Sequence, residues 1–303
     1  MDHVPIGVAI VNWKRPGETI ACLESLRAAV PAPARVVVVD NASSDGSLEA
    51  LQHWAADHPD LPLGIIQSEA NRGFAGGNNL GIAQLAQDPR LGHFLLLNND
   101  ATVAADFFAE ATRAIGEVPH AGLLGATIYE GTTRNRVWYA GGRLPRLRAL
   151  ATHNTRVPPH AVVVPTEFVT GCAMLISRVA WAMLGPLPER YFMYFEDTEY
   201  SFRARAAGFP VLYAPRVVVH HAVAGAERRS LPRAEAEYLF TRGRVLFVRR
   251  NLRGWRRSGA LSYVVLTRVV RAFSAALTGR PRLAWALLRG AIDGFVLEAT
   301  RPY

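Results

Sequence analysis

Lysine is almost missing from this chain: of 34 basic residues only Lys14 is a lysine, and the rest are arginines. A P-loop needs a lysine followed by Ser or Thr at the end of its glycine run, and Lys14 leads into "RPGE" instead, so that phosphate loop is excluded. Cysteine is scarce as well. Cys22 and Cys172 are the only two; they offer at most one bridge and no C-x-x-C spacing, which excludes a disulfide scaffold and a cysteine zinc site and leaves two reduced, structural thiols. No uncharged apolar run reaches the length of about 18 residues that a spanning helix needs. The opening "MDHVPIGVAIVNW" has no basic n-region and no cleavage site, so the expected compartment is the cytoplasm.

What is present is hydrophobic: half of the 303 residues are apolar, enough for one large domain or for a domain of about 200 to 250 residues with an appendage. The net charge of +9 is placed unevenly, because residues 228–303 hold 16 arginines and 4 acids, a surplus of 12 that leaves −3 for the remainder. A basic tail beside a near-neutral domain suggests an anionic partner, or else a solvated arginine-rich helix face. A soft boundary is placed at residue 228. The expected division is a domain over 1–228, with halves 1–103 and 104–228, followed by a basic helical region over 229–303.

Along the first hundred residues strands and helices alternate. "IGVAIVNW", "RVVVVD", "LPLGIIQS" and "HFLLLNND" read as strands buried on both faces, with helical stretches after Pro16, after "NASSDGS" and over "GGNNLGIAQLAQ". Such alternation predicts an α/β fold with a mostly parallel central sheet and helices on both faces. Further on, "VPTEFVTGCAMLISRVAWAML" reads as strand then helix and "VLYAPRVVVHH" as a strand, while the segment 129–159 is punctuated by Gly, Arg and Pro and is expected to be irregular. The chain is helical from about Leu231.

Ligands of open parallel sheets bind beyond the carboxyl ends of the strands. Polar residues stand at those ends: Asn12 and Trp13, Asp40 and Asn41, Asn98 to Asp100, with Arg72 and Gly73 in "NRGFAGGNN". Each alone is ordinary cap or turn chemistry. "RGFAGGNN" matches no dinucleotide fingerprint, and "NWKRPGE" after the first strand lacks the glycines of an NAD site. A carboxylate at the end of the greasiest strand, Asp100, can hold a hard divalent cation against a diphosphate, since Mg²⁺ needs only one or two carboxylates besides phosphate oxygens and water.

Taken in order, "VAIVNWKRPGETIACLESL", "VVVVDNASSDGS", "NRGFAGGNNLGI", "LLLNNDATV", "FVTGCAMLISRVAW" and "YFMYFEDTEYSFRARAAGF" resemble a family 2 glycosyltransferase of the rhamnosyltransferase-like type, over roughly residues 5–225. The resemblance implies a GT-A nucleotide-sugar fold and an inverting, metal-dependent transfer of a sugar, rhamnose being the leading candidate, from a dTDP- or UDP-sugar. The acceptor would be a glycan or lipid-linked hydroxyl in cell-surface polysaccharide synthesis. It assigns donor contacts to Asn12, Trp13, Asp40, Asn41, Arg72, Gly73, Asn78 and Asn99, and the metal, Mg²⁺ or Mn²⁺, to Asp100. The family's "DxD" stands here as "NND". Of the acids in "YFEDTEY", Asp197 would be the base and Glu196 would orient it or contact the acceptor. A histidine of "VVVHH" would help hold the metal, His221 in first place and His220 as the alternative; Arg242 of "TRGR" is a further diphosphate contact.

Residues 260–278 form an amphipathic helix whose expected apolar face carries Val265, Val269, Ala272 and Ala276. Arg268 and Arg271 at its centre oppose a span, since each adds about 2.5 to 3.5 kcal/mol at mid-bilayer. The helix therefore suits an anionic membrane surface, a packed position on the domain, or a contact between copies. Nucleic-acid binding is the least favoured use of the tail, because no recognition motif accompanies its arginines. Competing readings are a sugar-nucleotide nucleotidyltransferase, which would want a glycine- and lysine-bearing signature after the first strand, and a non-catalytic binding module, which would not need Asp100 and Asp197 together.

Overall fold

Alternate residues of the central strands enter two different cores. Val8, Ile10, Val36, Val38, Leu95 and Leu97 face one, and Ala9, Val37, Val39, Phe94 and Leu96 face the other. A strand with both faces covered has no solvent side, so its sequence reads as an unbroken apolar run. The computed structural model in which this is seen describes residues 4–133, 135–145, 147–158, 163–222 and 231–296.

The strands are β1 (Ile6–Asn12), β2 (Arg35–Asp40), β3 (Leu63–Gln67), β4 (His93–Asn98), β5 (Ala101–Val103), β6 (Leu123–Glu130), β7 (Val137–Tyr139), β8 (Gly142–Arg143), β9 (Thr152–His153), β10 (Val164–Pro165), β11 (Ala173–Ser177) and β12 (Val211–His221). The main sheet runs β10-β12-β6-β11-β4-β1-β2-β3, with β5 added on β12 and β7 on β6. Strands β3, β2, β1 and β4 are mutually parallel. β11 is inserted antiparallel between β4 and β6, and β6 pairs parallel with β12. The segment expected to be irregular carries β7 and the small β8–β9 pair; strands of two or three residues are too short to show a period in sequence.

Helices α1 (Pro16–Arg27), α2 (Ser47–Asp57) and α4 (Phe107–Glu117) cover the first core, and α3 (Gly73–Leu85), α5 (Arg178–Leu184) and α6 (Glu196–Ala206) the second. Because β1 is followed outward by β2 on one side and has β4 on the other, the strand order reverses at β1, where an open sheet leaves a crevice.

Three helices end the described chain: α7 (Arg233–Asn251), α8 (Gly254–Leu277) and α9 (Pro281–Val296). α7 sends Leu246, Phe247 and Val248 into a cluster with Tyr191, Phe195 and Leu144. α9 meets α7 closely enough that a Cβ on Gly294 would lie 2.6 Å from Val245 Cβ and 2.9 Å from the Arg242 carbonyl. The boundary expected near residue 228 falls outside the described residues.

The faces of α8 differ from expectation. Its buried stripe is Ala260, Val264, Arg268, Ala272 and Ala275, whereas Val269 and Ala276 are exposed. Small side chains win the docking side because they let helices approach, and Arg268 is admitted by its pairing with Glu237 at 3.4 Å. Removing volume from the middle sheet should be costly: Leu96→Ala, at a fully buried position, is expected to lower unfolding free energy by about 2 to 5 kcal/mol in a urea titration.

Candidate active site

The parallel register of β1 with β2 sets Asn12 beside Asp40, and that of β1 with β4 sets Val11 beside Asn98. Asn12 donates from Nδ2 to Asp40 Oδ1 at 2.9 Å and accepts from Thr19 Oγ1 at 2.8 Å. Ser43 N–H donates to Asp40 Oδ2 at 3.0 Å. Asn12 and Asp40 are both fully buried. They were expected to contact the donor; neither lines the cavity, and the bonds each makes join the strand ends.

The next residues along each strand reach the cavity. This crevice of about 650 Å³ is lined by Trp13, Asn41, Gly73, Asn99 and Asp100 on one side and lies in the usual size range of small-molecule sites. Asn41 ties the glycine loop in place: Nδ2 donates to Asn71 Oδ1 at 2.9 Å and to the Gly73 carbonyl at 3.0 Å, while Arg72 N–H donates to Asn41 Oδ1 at 2.9 Å. Gly73 sits at φ +68, and a Cβ there would lie 2.2 Å from the Phe192 carbonyl, so this turn requires glycine. Asn99 donates to Thr19 Oγ1 at 3.1 Å.

Three expected contacts stand elsewhere. The Arg72 guanidinium turns to Glu189 at 3.1 Å and is not part of the cavity wall. Asn78 is buried in α3, where it donates to the Phe74 carbonyl one turn back. Arg242 is fully buried and donates to the Arg190 carbonyl at 3.2 Å. Lys14 and Arg15 are the basic residues that do line the cavity. Sequence reading passed over both because they sit in a turn without any phosphate-loop pattern.

At the β4 end, His221 Nε2 lies 2.9 Å from Asp100 Oδ1 and 3.3 Å from Asn98 Nδ2. Burial alone would raise the Asp100 carboxyl, but the hydrogen bond and charge of His221 outweigh it and the net shift is downward. Burial likewise opposes a charged His221, yet Cys172 and Asp100 outweigh it and push this imidazole up to about 11. His220, on the opposite face of the strand, stacks on Tyr129 with ring centroids 5.8 Å apart. One carboxylate and one imidazole in contact fit a divalent ion once the imidazole gives up its proton, the other ligands coming from phosphate oxygens and water. No group of three or more His, Cys, Asp or Glu suited to a metal occurs among the described residues.

The second wall is built by the turn into α6. Tyr194 and Phe195 hold φ of +69 and +74, a strained backbone that aims the next two residues inward. Asp197 is held on both oxygens: Gly171 N–H donates to Oδ2 at 2.9 Å, and Thr198 N–H to Oδ1 at 2.6 Å. Glu196 Oε2 is buried and has no hydrogen-bond partner among the described residues. Burial first, and then the Asp197 charge, raise the Glu196 carboxyl above its ordinary range; burial also raises Asp197. Both line the cavity. Glu199, the third acid of the motif, instead accepts from Arg190, Tyr191 and Asn251, tying α6 to α7. Sequence reading also missed an aromatic wall from the segment expected to be irregular: Trp138 lies edge-on to His221 at 5.2 Å and to His153 at 4.4 Å.

Residues 3–246 match the model of a family described as "Glycosyltransferase like family 2". The chain is 28% identical over 209 residues to the low-salt glycan biosynthesis hexosyltransferase Agl10 of Haloferax volcanii, covering 66% of this chain and 61% of that protein. It is also 28% identical over 222 residues to the N-acetylglucosaminyl-diphospho-decaprenol L-rhamnosyltransferase of Mycobacterium tuberculosis, covering 66% of this chain and 70% of that one. Among solved structures, GalNAc-T7 with UDP, GalNAc and Mn²⁺ superposes with a TM-score of 0.60 at 16% identity over 72% of this chain and 43% of that one. The mannosyltransferase PcManGT from Pyrobaculum calidifontis, in complex with GDP-Man and Mn²⁺, superposes with 0.59 at 16% identity over 96% and 86%. These likenesses establish the GT-A fold.

Glu196 supplies a pH signature. A carboxyl raised on folding binds protons that the unfolded chain releases, so its contribution is complete below about pH 4 and is lost as pH rises through the folded value. The unfolding free energy of the wild type should therefore fall relative to that of Glu196→Gln between pH 5 and pH 8, by up to about 1.4 kcal/mol per pH unit in urea titrations. Parallel pH curves for the two proteins would contradict the shift.

Proposed function

Because the chain belongs to the glycosyltransferase-like family 2, we propose that the cavity transfers a sugar, with inversion, from a nucleoside diphosphate to an acceptor hydroxyl, Asp197 being the base. One observation carries this reading: a buried pair of acids, Glu196 and Asp197, opens on the same cavity as the strand end Asn98 to Asp100. Burial makes Asp197 a stronger base than a solvated carboxylate; the Thr198 N–H and hydroxyl occupy Oδ1, and the single bond from Gly171 N–H holds Oδ2 while leaving it a lone pair for the acceptor proton. The acceptor oxygen bonds to C1 of the sugar, the C1–O bond to the diphosphate breaks, and the hydroxyl proton passes to Asp197. Glu196 Oε2, lacking a partner among the described residues, is the group open to the acceptor's neighbouring hydroxyl.

Trp13, Asn41 and the Gly73 turn line the cavity where the nucleoside would lie, with Asn99 near the diphosphate. Lys14 and Arg15 replace Arg72 as the cations at that end. Asp100 and His221 would hold a divalent ion, Mg²⁺ or Mn²⁺, whose bound charge offsets that developing on the leaving diphosphate. The relatives' names favour a glycan product, and the decaprenol-linked substrate in one of them favours a lipid-linked acceptor. A rhamnose donor carried by dTDP or UDP is the corresponding choice.

Asp197→Asn is expected to lower kcat by about 10²- to 10⁴-fold with the Kd for the nucleoside diphosphate unchanged in calorimetry. Wild-type turnover would remove Asp197 as the base. Asp100→Ala should weaken nucleoside diphosphate binding at least tenfold in the presence of Mn²⁺ and leave binding in EDTA unaltered. An equal loss in both conditions would assign Asp100 a structural role instead.

A further inference from the structure

α8 carries two apolar stripes on opposite sides. The one that packs on the protein is described above. The other, Tyr263, Leu266, Val270, Phe273 and Leu277, is spaced three and four residues apart, which keeps it on one helix face. Phe273 is 66% exposed and Leu277 73%. α9 repeats the arrangement with Trp285, Ile292 and Val296, at 62%, 58% and 70%. Nothing among the described residues covers either stripe.

The charges around these stripes have one sign. Over residues 253–296 there are eight arginines and one acid, and that acid, Asp293, is half-buried and accepts from Tyr238 at 2.8 Å. Arg253 and Arg257 at the start of α8, and Arg280 and Arg282 at the turn into α9, are exposed and make no ion pair among the described residues. They bracket the α8 stripe at both ends. Trp255, 77% exposed beneath the Arg256 guanidinium, and Trp285 stand near the same two ends.

We propose that α8 and α9 form a docking face for an anionic lipid bilayer, lying in its interface rather than crossing it. Exposed aliphatic and aromatic residues enter the acyl boundary, tryptophans sit at headgroup level, and arginines meet lipid phosphates and anionic headgroups. A span is opposed by the other side of α8. Arg268 and Arg271 there reach Glu237 on α7 at 3.4 and 2.6 Å, and crossing the bilayer would break these pairs and carry both arginines into hydrocarbon. A second copy is a poorer occupant, because symmetric packing of these stripes brings arginines together without acids to pair them. On the reading given above, the placement is useful: α7, which packs on α9, contributes Glu235 and Phe240 to the cavity wall, so the acceptor end would lie beside the membrane.

The test is flotation of the full chain with vesicles of phosphatidylcholine alone and of phosphatidylcholine with phosphatidylglycerol. It reads no transfer, so its failure and that of the proposed activity are separable. The wild type should float with the anionic vesicles at low salt, at least tenfold less with neutral ones, and less again as salt rises. Leu266→Glu with Phe273→Glu, both at exposed positions, should abolish flotation while leaving the melting temperature unchanged. The proposal is overturned if the folded wild type floats with neither vesicle, or if the double variant still floats. It is equally overturned if light scattering shows a dimer that the double variant dissociates, or if alkaline carbonate fails to release the protein from cell membranes.

Discussion

A buried carboxylate without hydrogen bonds is costly and tends to give up its charge, and Asp40 keeps a bond on each oxygen only when β1 and β2 stand in their observed register. Slip the pairing and Asn12 no longer reaches Asp40, nor does the turn after β2 return Ser43 N–H to it. Thr19 then fastens the same Asn12 to α1. This polar joint lies under the point where the strand order reverses, so it fixes the height and spacing of the residues that follow: Trp13 after β1, Asn41 after β2 and, through β4, the amides and acid at 98–100. Locked ends allow a loop-built cavity to have a rigid floor, which is what positioning a diphosphate against an acceptor requires.

Above that floor, electrostatics divides the cavity. At one end Asp100 is lowered by its contact with His221, and His221 is raised against its burial by Cys172 and Asp100, a pair that favours charge. At the other, burial raises both Glu196 and Asp197, and the Asp197 charge raises Glu196 further, a pair that favours holding a proton. One pole suits a leaving diphosphate and the other an incoming hydroxyl. The strained turn at Tyr194 and Phe195 keeps the second pole in place, and Glu199 anchors the same helix from behind.

The parallel half of the sheet was legible because both faces are buried and the runs are continuously apolar; "RVVVVD" and "HFLLLN" could scarcely be anything else. The motif residues that end strands were legible as a group, yet the group hides a division between floor and wall. Asn12 and Asp40 look like ligand contacts in sequence, and only the register shows that they spend their bonds on each other. Arg72 looked like a phosphate contact because it precedes a glycine loop; Glu189, more than a hundred residues on, decides its direction, and no local pattern carries that information. The Trp138 wall was hidden for another reason, since three-residue strands in a Gly-rich stretch have no period to read. On α8 the apolar face expected over Val265, Val269, Ala272 and Ala276 is split, Ala272 docking while Val269 and Ala276 stay exposed, because helix packing favours a stripe of mostly small side chains.

The central claim is that the crevice at the β1–β4 switch is a nucleoside diphosphate site. The most direct measurement is a thermal-shift panel of dTDP, UDP, GDP, CMP and NAD on the full chain, each with and without Mn²⁺. At a hundredfold excess over Kd a ligand stabilises the fold by about 2.7 kcal/mol. A nucleoside diphosphate is predicted to raise the melting temperature, more strongly with Mn²⁺, while NAD does not. A cooperatively melting protein that ignores every diphosphate, or that answers only to NAD, would contradict the account.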